Sequence, residues 1–184
     1  MHLPLHATLP DGGHVTVEVA SEAQVAHMYC LIAEAAAEGS GYGVDEYPSE
    51  EHFREEIRGG HTFAVRYTDS SPLIGAFALA NSRFYRGTDI RVADPIVIVR
   101  RSDRRRGLGK FLFKTAVQFS KRLGYSGVYT DTFVNNLAMV KIIERSPGFQ
   151  RVGHLPLGGK MPDGSVVGTY VYFKDLRCST PIAR

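Results

Sequence analysis

The segment from Ile90 to Leu123 constrains the fold most, because a strand, a basic loop and a helix follow one another directly in it. Residues 90–99 (IRVADPIVIV) end in a continuously apolar run, which predicts a strand that is covered on both faces. From Gly107 to Leu123 apolar residues recur at helical spacing, and basic residues fall mostly on the opposite face. The connecting sequence, RRSDRRRGLGK, places Gly107 and Gly109 where the helix begins. A strand–loop–helix unit of this kind predicts an α/β domain.

The flanking segments extend this unit into one mixed α/β domain. Their patterns predict the element order β-α-α-β-β-β-α-β-α-β-β over residues 1–176, followed by a loose tail at residues 177–184. Turn formers at residues 69–72 and the Gly/Pro-rich run at residues 155–164 predict loops. Predicted strands occupy residues 14–19, 61–67, 73–80, 90–99, 127–133, 149–154 and 166–173, and predicted helices begin after Ser21, after Ser49, at Gly107 and at Asn136.

Composition and charge exclude several classes of protein. The chain has 184 residues, 43% of them hydrophobic, and a net charge of only +3, so its basic character is local rather than global. Two cysteines form no disulfide framework, which indicates a reducing compartment. No run approaches the roughly 20 apolar residues of a membrane span, and the first residues lack the pattern of a secretory signal. We therefore expect a cytoplasmic protein, with a nuclear share left open, whose partners include neither a membrane nor a nucleic acid.

The glycine-containing loop predicts an anion site. A helix N-terminus carries free N–H groups and partial positive charge, and glycines there let a phosphate approach the backbone closely. The dinucleotide fingerprint G-x-G-x-x-G fails at Leu112, and the P-loop pattern fails at Phe111. A solvated basic loop, an ordinary tight turn or a surface for nucleic acid remain as alternatives. The seven histidines form no metal-binding pattern, so we expect no metal.

Three motifs together resemble the GCN5-related N-acetyltransferase (GNAT) superfamily. They are R-x-x-G-x-G at residues 104–109, the strand and asparagine-led helix start DTFVNNLA at residues 131–138, and Gly148-Phe149. The similarity covers about residues 90–154 well and the two N-terminal helices only as an element order. The resemblance implies the mixed-sheet acyl-CoA N-acyltransferase fold and acetyl-CoA as cofactor, with CoA as product.

The resemblance also implies which residues hold the cofactor. The strand containing Val99 and the strand beginning at Gly127 would splay apart, and the cofactor would enter the gap between them. The backbone of the first strand would pair with the pantetheine arm, the loop N–H groups would hold the pyrophosphate, and the Asn136 side chain would bond near the thioester. The arginine side chains would meet the 3′-phosphate or point to water. The cofactor-binding residues implied are Val97, Ile98, Val99, Arg104, Arg105, Arg106, Gly107, Leu108, Gly109, Lys110 and Asn136.

The general base and the general acid stay open. Direct acyl transfer requires a neutral amine, and the resemblance implies that Asp131, five residues before Asn136, accepts the proton; Asp94 on the adjacent strand is the second candidate. A structural hydrogen bond is the alternative role for Asp131. Ile143 stands where many family members carry a tyrosine that protonates the leaving thiolate. Tyr170, Tyr172, a water molecule or departure as the thiolate are the alternatives, and weak catalysis is another.

The acceptor is predicted less narrowly. Asp45, Glu46 and Tyr47, in the loop between the first two helices, are the candidate substrate contacts, because acids suit a cationic amine. The C-terminal run resembles a branch that includes fungal acetyltransferases of proline analogues, which implies a small amine or an amino acid. A protein or peptide amine, including a histone lysine or an N-terminus, stays open, as does a module that binds acyl-CoA without turnover. A homodimer is also left open.

Overall fold

Eight strands and four helices form in the residues that this computed structural model describes, which are 2–68, 71–87 and 89–177. The strands build one mixed sheet in the order β1-β2-β3-β4-β5-β6-β8-β7, in which β5 and β6 pair in parallel and the other neighbours antiparallel. The elements are β1 Leu5–Thr8, β2 His14–Val19, α1 Glu22–Ala37, α2 Glu50–Glu56, β3 His61–Arg66, β4 Gly75–Asn81, β5 Val92–Val99, α3 Leu108–Arg122, β6 Gly127–Phe133, α4 Leu137–Glu144, β7 Gln150–Lys160 and β8 Val166–Asp175.

Alternation along the central strands gives the sheet two apolar faces, and a helical layer covers each. On one face Phe63 and Phe77 pack with Phe119 of α3, with ring centroids 4.9 and 5.7 Å from that of Phe119. On the other face the small residues of β3 and β4 pack, with Ile96 and Ile98, against α1 and α2. Burying each large apolar side chain contributes about 1.5–3 kcal/mol, so both layers stabilise the sheet.

The parallel pair at the centre of the sheet is short. β5 and β6 pair only at Val92↔Gly127 and Ala93↔Val128, and then diverge. Antiparallel pairing of β5 with β4 continues as far as Val99. Pro95, which has no N–H to give to a neighbouring strand, lies two residues after the last parallel pair, which is at Ala93. The gap between the two strands therefore opens toward the start of α3.

The structure agrees with most predicted elements and differs at both ends of the sheet. It adds β1, which pairs with β2 from Leu5↔Val17 to Thr8↔His14; its four residues are too short a run for an alternation pattern to stand out. β7 extends to Lys160 through most of the run that was predicted as a loop, with irregular register between Leu155 and Gly159. Its residues are largely exposed on both faces, so they lack the apolar alternation that marks a strand.

Several predictions fall where the structure gives no description. The centre of the predicted turn, at residues 69 and 70, and the predicted tail beyond Arg177 lie outside the described residues. Among the helices that are described, none is long and apolar enough to cross a membrane.

Candidate functional site

A cleft of about 870 Å³ occupies the gap between β5 and β6. The start of α3 forms one end, and the loop between α1 and α2, together with the end of α2, forms the other. The cleft therefore connects the basic loop to a group of acidic side chains across the middle of the sheet. Its lining comprises Ser40, Gly41, Tyr42, Glu46, Tyr47, Glu56, Ala80, residues 94–99, Arg104, Arg105, Gly107, Gly109, Lys110, residues 130–133, Asn136, Ala138, Met139, Ile142 and Gly158.

The basic end of the cleft is the N-terminus of α3. Phe111 N donates the first helical backbone bond, to Gly107 O at 3.0 Å, so the N–H groups of residues 108–110 precede the intrahelical ladder. Gly107, the N-cap, has φ of 84°, and Arg105 has φ of 64°, a left-handed conformation that is uncommon for a residue with a side chain. Free N–H groups at a helix N-terminus, beside backbone of left-handed conformation, are features from which anion sites are built.

Most arginines of the basic run are held by other protein groups. Arg100 pairs with Asp103, Arg101 with Glu38, Arg104 with Glu38 and the Ser40 hydroxyl, and Arg106 with Asp11. Among the described residues neither Arg105 nor Lys110 has an acidic partner, and both line the cleft. These two are the cations of the run that are free to meet a phosphate. Because the other guanidinium groups are paired with protein side chains, few cations of the run are left to contact the phosphates of a nucleic acid.

The middle of the cleft is lined by β5 and by the start of α4. The hydroxyl of Tyr42 donates to the backbone carbonyl of Val97 at 2.8 Å. Asn136 caps α4 by accepting from Met139 N at 3.2 Å, and its amide nitrogen lies against Gly41, where an added Cβ would come within 2.9 Å of it. A side chain at Gly41 would therefore collide with Asn136, and the glycine lets the loop before α2 lie directly over the start of α4.

Four carboxyl groups line the acidic end. Asp94, on β5, and Asp131, on β6, lie on the sheet face that carries α1 and α2, while Glu46 and Glu56 come from the loop and from the end of α2. Asp131 accepts a hydrogen bond from the Thr169 hydroxyl at 3.1 Å, Glu46 accepts one from Gly43 N at 3.0 Å, and Glu56 pairs with the exposed Arg83.

Desolvation and neighbouring negative charge raise the pKa values of Asp94 and Glu46, and desolvation raises that of Asp131. Loss of hydration, together with the negative charges of Asp131 and Glu56, raises the pKa of Asp94 to about 8. Solvent in the open cleft reaches Glu46, yet the surrounding walls and the charge of Asp131 raise its pKa to about 7. Desolvation also raises the pKa of Asp131, although the Thr169 hydroxyl opposes it. Asp94, Glu46 and Asp131 therefore hold protons more readily than isolated carboxylates do, and a cluster of acids favours a cationic ligand.

The loop before α2 meets the hairpin of β7 and β8 beside the acidic end of the cleft. Val44 N donates to Lys160 O at 2.9 Å, which joins the loop between α1 and α2 to the hairpin of β7 and β8. Gly159 lies beside Gly43 and against the Phe133 ring, at a spacing that leaves no room for a Cβ. The Tyr47 ring packs edge-on against Phe53 of α2, with centroids 5.4 Å apart. These contacts border the acidic groups on the side away from the sheet, while Glu46 and Asp131 stay exposed to the open cleft.

The structure places some of the candidate residues away from the cleft. Ile143 is fully buried against Phe113 and Tyr172, and Ile142, one residue earlier in α4, lines the cleft instead. Tyr172 donates its hydroxyl to Glu144 at 3.2 Å, and Tyr170 packs on His154, so neither tyrosine reaches the site.

Three further candidates lie outside the lining. Asp45 is exposed and absent from the cleft wall, unlike its neighbours Glu46 and Tyr47. The Leu108 side chain is buried in the core, and the Arg106 side chain points away from the cleft, so only their backbone groups stand near the anion site.

Two cleft residues were missed from the sequence. Tyr42 lies in the same loop as the candidates Asp45, Glu46 and Tyr47, but nothing in the sequence indicated its bond to Val97. Glu56 is the last residue of α2, an acidic helix whose charged side chains we would expect to face solvent. Within the described chain no group of three or more histidine, cysteine or acidic side chains has the arrangement of a metal site.

Comparison with known proteins identifies the family. The sequence profile of the Acetyltransferase (GNAT) family matches residues 28–149, about two thirds of the chain. Among curated protein sequences none is significantly similar. Many solved structures share the fold.

Three of these structures show how fully the fold is shared. A GCN5-related N-acetyltransferase from Kribbella flavida is 22% identical, with a TM-score of 0.72 over 88% of this chain and 97% of its own. The yncA protein of Salmonella typhimurium, solved with its cofactor acetyl-CoA, is 17% identical, with a TM-score of 0.72 over 92% and 99%. The ribosomal-protein-S18-alanine N-acetyltransferase of Escherichia coli is 13% identical, with a TM-score of 0.69 over 92% and 99%.

At these identities the structural likeness establishes the fold, while the profile match establishes the relationship. The fold and the family that the sequence motifs indicated are thus both confirmed, although the element order gains one strand at its start. The chain belongs to the GNAT acetyltransferase family.

Proposed function

We propose that the chain transfers an acetyl group from acetyl-CoA to a primary or secondary amine of a small molecule or an amino acid, by direct attack in a ternary complex. One observation supports the proposal above all. A single cleft runs through the gap between β5 and β6, from a helix N-terminus suited to a phosphate to a group of carboxyl groups that can accept protons. Acetyl-CoA has a pyrophosphate at one end and a reactive thioester at the other, so its two ends match the two ends of the cleft.

The residues at the basic end fit the cofactor. The N–H groups from Arg105 to Lys110 would hold the pyrophosphate, and the Arg105 and Lys110 side chains would meet its charges. Gly109 leaves the approach open, because the nearest atoms to an added Cβ there, on Val99 and Ile142, are 3.8 and 3.9 Å away. The backbone of Val97, Ile98 and Val99 borders the gap where the pantetheine arm would lie, with Asn136 beside it.

Bound acetyl-CoA supplies the acetyl group as a thioester, which an amine nitrogen attacks as the carbon–sulfur bond breaks and CoA leaves. The amine must first lose a proton, and Asp94 and Asp131 are the proposed acceptors. Asp94 suits this role because its raised pKa, about 8, makes it a stronger base than an ordinary carboxylate. Glu46, with a pKa of about 7, could receive the proton by way of Asp131 or water.

The proton that the departing sulfur takes up has few protein sources. Ile142 faces the cleft from α4 and has no ionisable proton to donate. The phenols that line the cleft are those of Tyr42 and Tyr47. Desolvation and the charge of Glu46 raise the pKa of both tyrosines, which keeps their hydroxyl protons in place. We therefore assign the sulfur a proton from solvent, or departure as the thiolate.

The acceptor proposed is small because the loop before α2 meets the hairpin of β7 and β8 beside the acidic end. A protein or peptide substrate would need an open groove beside the thioester, whereas the Val44–Lys160 contact joins the loop to the hairpin across that side. Four carboxyl groups and aromatic walls suit a cationic amine of limited size.

Calorimetry with acetyl-CoA, followed by release of CoA across a panel of small amines, amino acids and lysine peptides, tests the proposal. We expect micromolar binding and turnover with cationic small amines in preference to peptides. Absence of acetyl-CoA binding would overturn the proposal, and binding without turnover on any amine would favour the non-catalytic module instead. Faster turnover of peptides would replace the small acceptor with a protein one.

A further inference from the structure

A buried carboxylate lies directly behind the anion site. Asp103, only 3% exposed, ends the short 3₁₀ turn Arg101–Asp103 that precedes the loop. It accepts hydrogen bonds from Arg100 Nε at 2.6 Å, from Ser102 Oγ at 2.9 Å and from Tyr67 Oη at 2.8 Å. Burial alone would raise the pKa of Asp103, but these donors outweigh it and lower the pKa, so the group is a fixed negative charge.

Tyr67 connects Asp103 to the loop through hydrogen bonds. Its hydroxyl donates to Asp103 and accepts a hydrogen bond from Arg106 Nη1. Arg106 also donates from Nε to Asp11 Oδ2 at 2.6 Å, and Asp11 is fixed by Gly13 N at 3.0 Å. Arg106 is therefore held from one side by the sheet and from the other by the hairpin of β1 and β2.

Arg106 lies between two residues whose backbone is left-handed. Arg105, before it, and Gly107, after it, both have positive φ, 64° and 84°. A left-handed residue with a side chain persists only where its surroundings determine it. Pro10 packs against Gly107, at 3.1 Å from the position of an added Cβ, which adds a second contact from the same hairpin.

We propose that Tyr67 and Asp103 are positioning residues, which act through Arg106 to hold residues 105–110 in the conformation that binds the pyrophosphate of acetyl-CoA. This inference rests on the proposed function for its ligand. Neither residue lines the cleft, and the charge of Asp103 would repel a phosphate, so both act through the loop and not by touching the ligand. Without this support the loop would have to order itself as the ligand binds, which weakens affinity.

The test compares Tyr67→Phe with Tyr125→Phe. Tyr125 is buried in the core and donates its hydroxyl to Leu79 O at 3.2 Å, away from the cleft, so its variant loses a hydrogen bond of the same kind. Calorimetry gives the Kd for acetyl-CoA, and ligand-observed NMR gives the Kd for S-acetylpantetheine, which lacks the pyrophosphate. We expect Tyr67→Phe to weaken acetyl-CoA about three- to tenfold, with S-acetylpantetheine binding unchanged and Tyr125→Phe like the wild type for both ligands. Asp103→Asn should show the same selective loss.

The outcomes separate this inference from the proposed function. If the wild type does not bind acetyl-CoA, the proposed function fails, and this inference with it. If the wild type binds and Tyr67→Phe binds as tightly, the positioning role is overturned while the proposed function stands. Equal weakening of both ligands would also overturn it, since that pattern indicates a general loosening of the fold. If Asp103→Asn does not fold, the Tyr67→Phe comparison decides alone.

Discussion

Replacing Gly109 by alanine should stabilise the protein and weaken its binding of acetyl-CoA. Gly109 is the second residue of α3, has no positive φ, and its added Cβ would meet only Val99 and Ile142 at ordinary contact distance. Alanine in a helix is roughly 0.5–1 kcal/mol more stable than glycine, which for a chain of this length raises Tm by about 1–4 °C. The new methyl group stands in the wall of the cleft where the phosphate would approach the backbone. We expect a loss of about tenfold in affinity, equivalent to about 1.4 kcal/mol.

Gly124→Ala is the matched control for this experiment. Gly124 follows α3 with φ of 81° and has nothing within 4 Å of an added Cβ, so an alanine there is strained without any collision. It should cost about 1–2 kcal/mol of stability and leave acetyl-CoA binding unchanged. Gly107→Ala is less informative, because it combines positive φ with the contact on Pro10.

Thermal unfolding and calorimetry on the two variants decide the matter. Opposite changes in Tm, together with weaker binding only in Gly109→Ala, are the expected result. Unchanged affinity in Gly109→Ala would refute the placement of the phosphate at this helix N-terminus. A lower Tm in that variant would refute the conformational argument on which the stability estimate rests.

Three further predictions concern single side chains of the cleft. Asp94 holds its proton up to a pKa of about 8 in the folded protein, whereas an unfolded chain releases it near pH 4, so wild-type stability falls as pH rises between these values. Asp94→Asn should therefore raise Tm more at about pH 9 than at about pH 5 while lowering turnover, and an equal Tm gain at both pH values would contradict the raised pKa. Glu46→Gln should change the preference among acceptor amines, measured as kcat/KM, whereas Asp45→Asn should not; identical profiles would remove Glu46 from the acceptor site. Arg105→Ala should weaken acetyl-CoA severalfold and reduce the salt dependence of binding, and Arg101→Ala, which loses only an exposed pair with Glu38, should match the wild type in both.

The elements that carry the site could be predicted because their signals are local. The apolar run of β5, the amphipathic spacing of α3 and the glycines between them fix the strand, the helix and the anion site within 30 residues of sequence. The side chains at the acidic end depend on distant segments, since Glu46, Glu56, Asp94 and Asp131 converge from two strands, a loop and a helix. Asp131 was named from the family resemblance and Asp94 from its place on the adjacent strand, and both side chains line the cleft.

The errors have equally physical causes. In α4 one residue changes the direction of a side chain by about 100°, so Ile143, the position taken from the family resemblance, faces the core, while Ile142 faces the cleft. The basic run gave no sign of which arginines are neutralised, because their acidic partners Asp11 and Glu38 are distant in sequence. Both kinds of error depend on tertiary contacts that no local pattern encodes.

Because β5 and β6 pair over so short a stretch, a ligand in the gap would become part of the connection between the two halves of the sheet. Within the sheet, two residue pairs join the half that contains β1 to β5 with the half that contains β6 to β8, and α3 and the loop before α2 connect the halves outside it. A molecule lying in the gap bridges the two halves along the stretch where they do not pair. Binding at a hundred times Kd adds about 2.7 kcal/mol to the free energy of unfolding by mass action. The melting temperature of this protein should thus report directly on how much of it is loaded, before any acceptor is known.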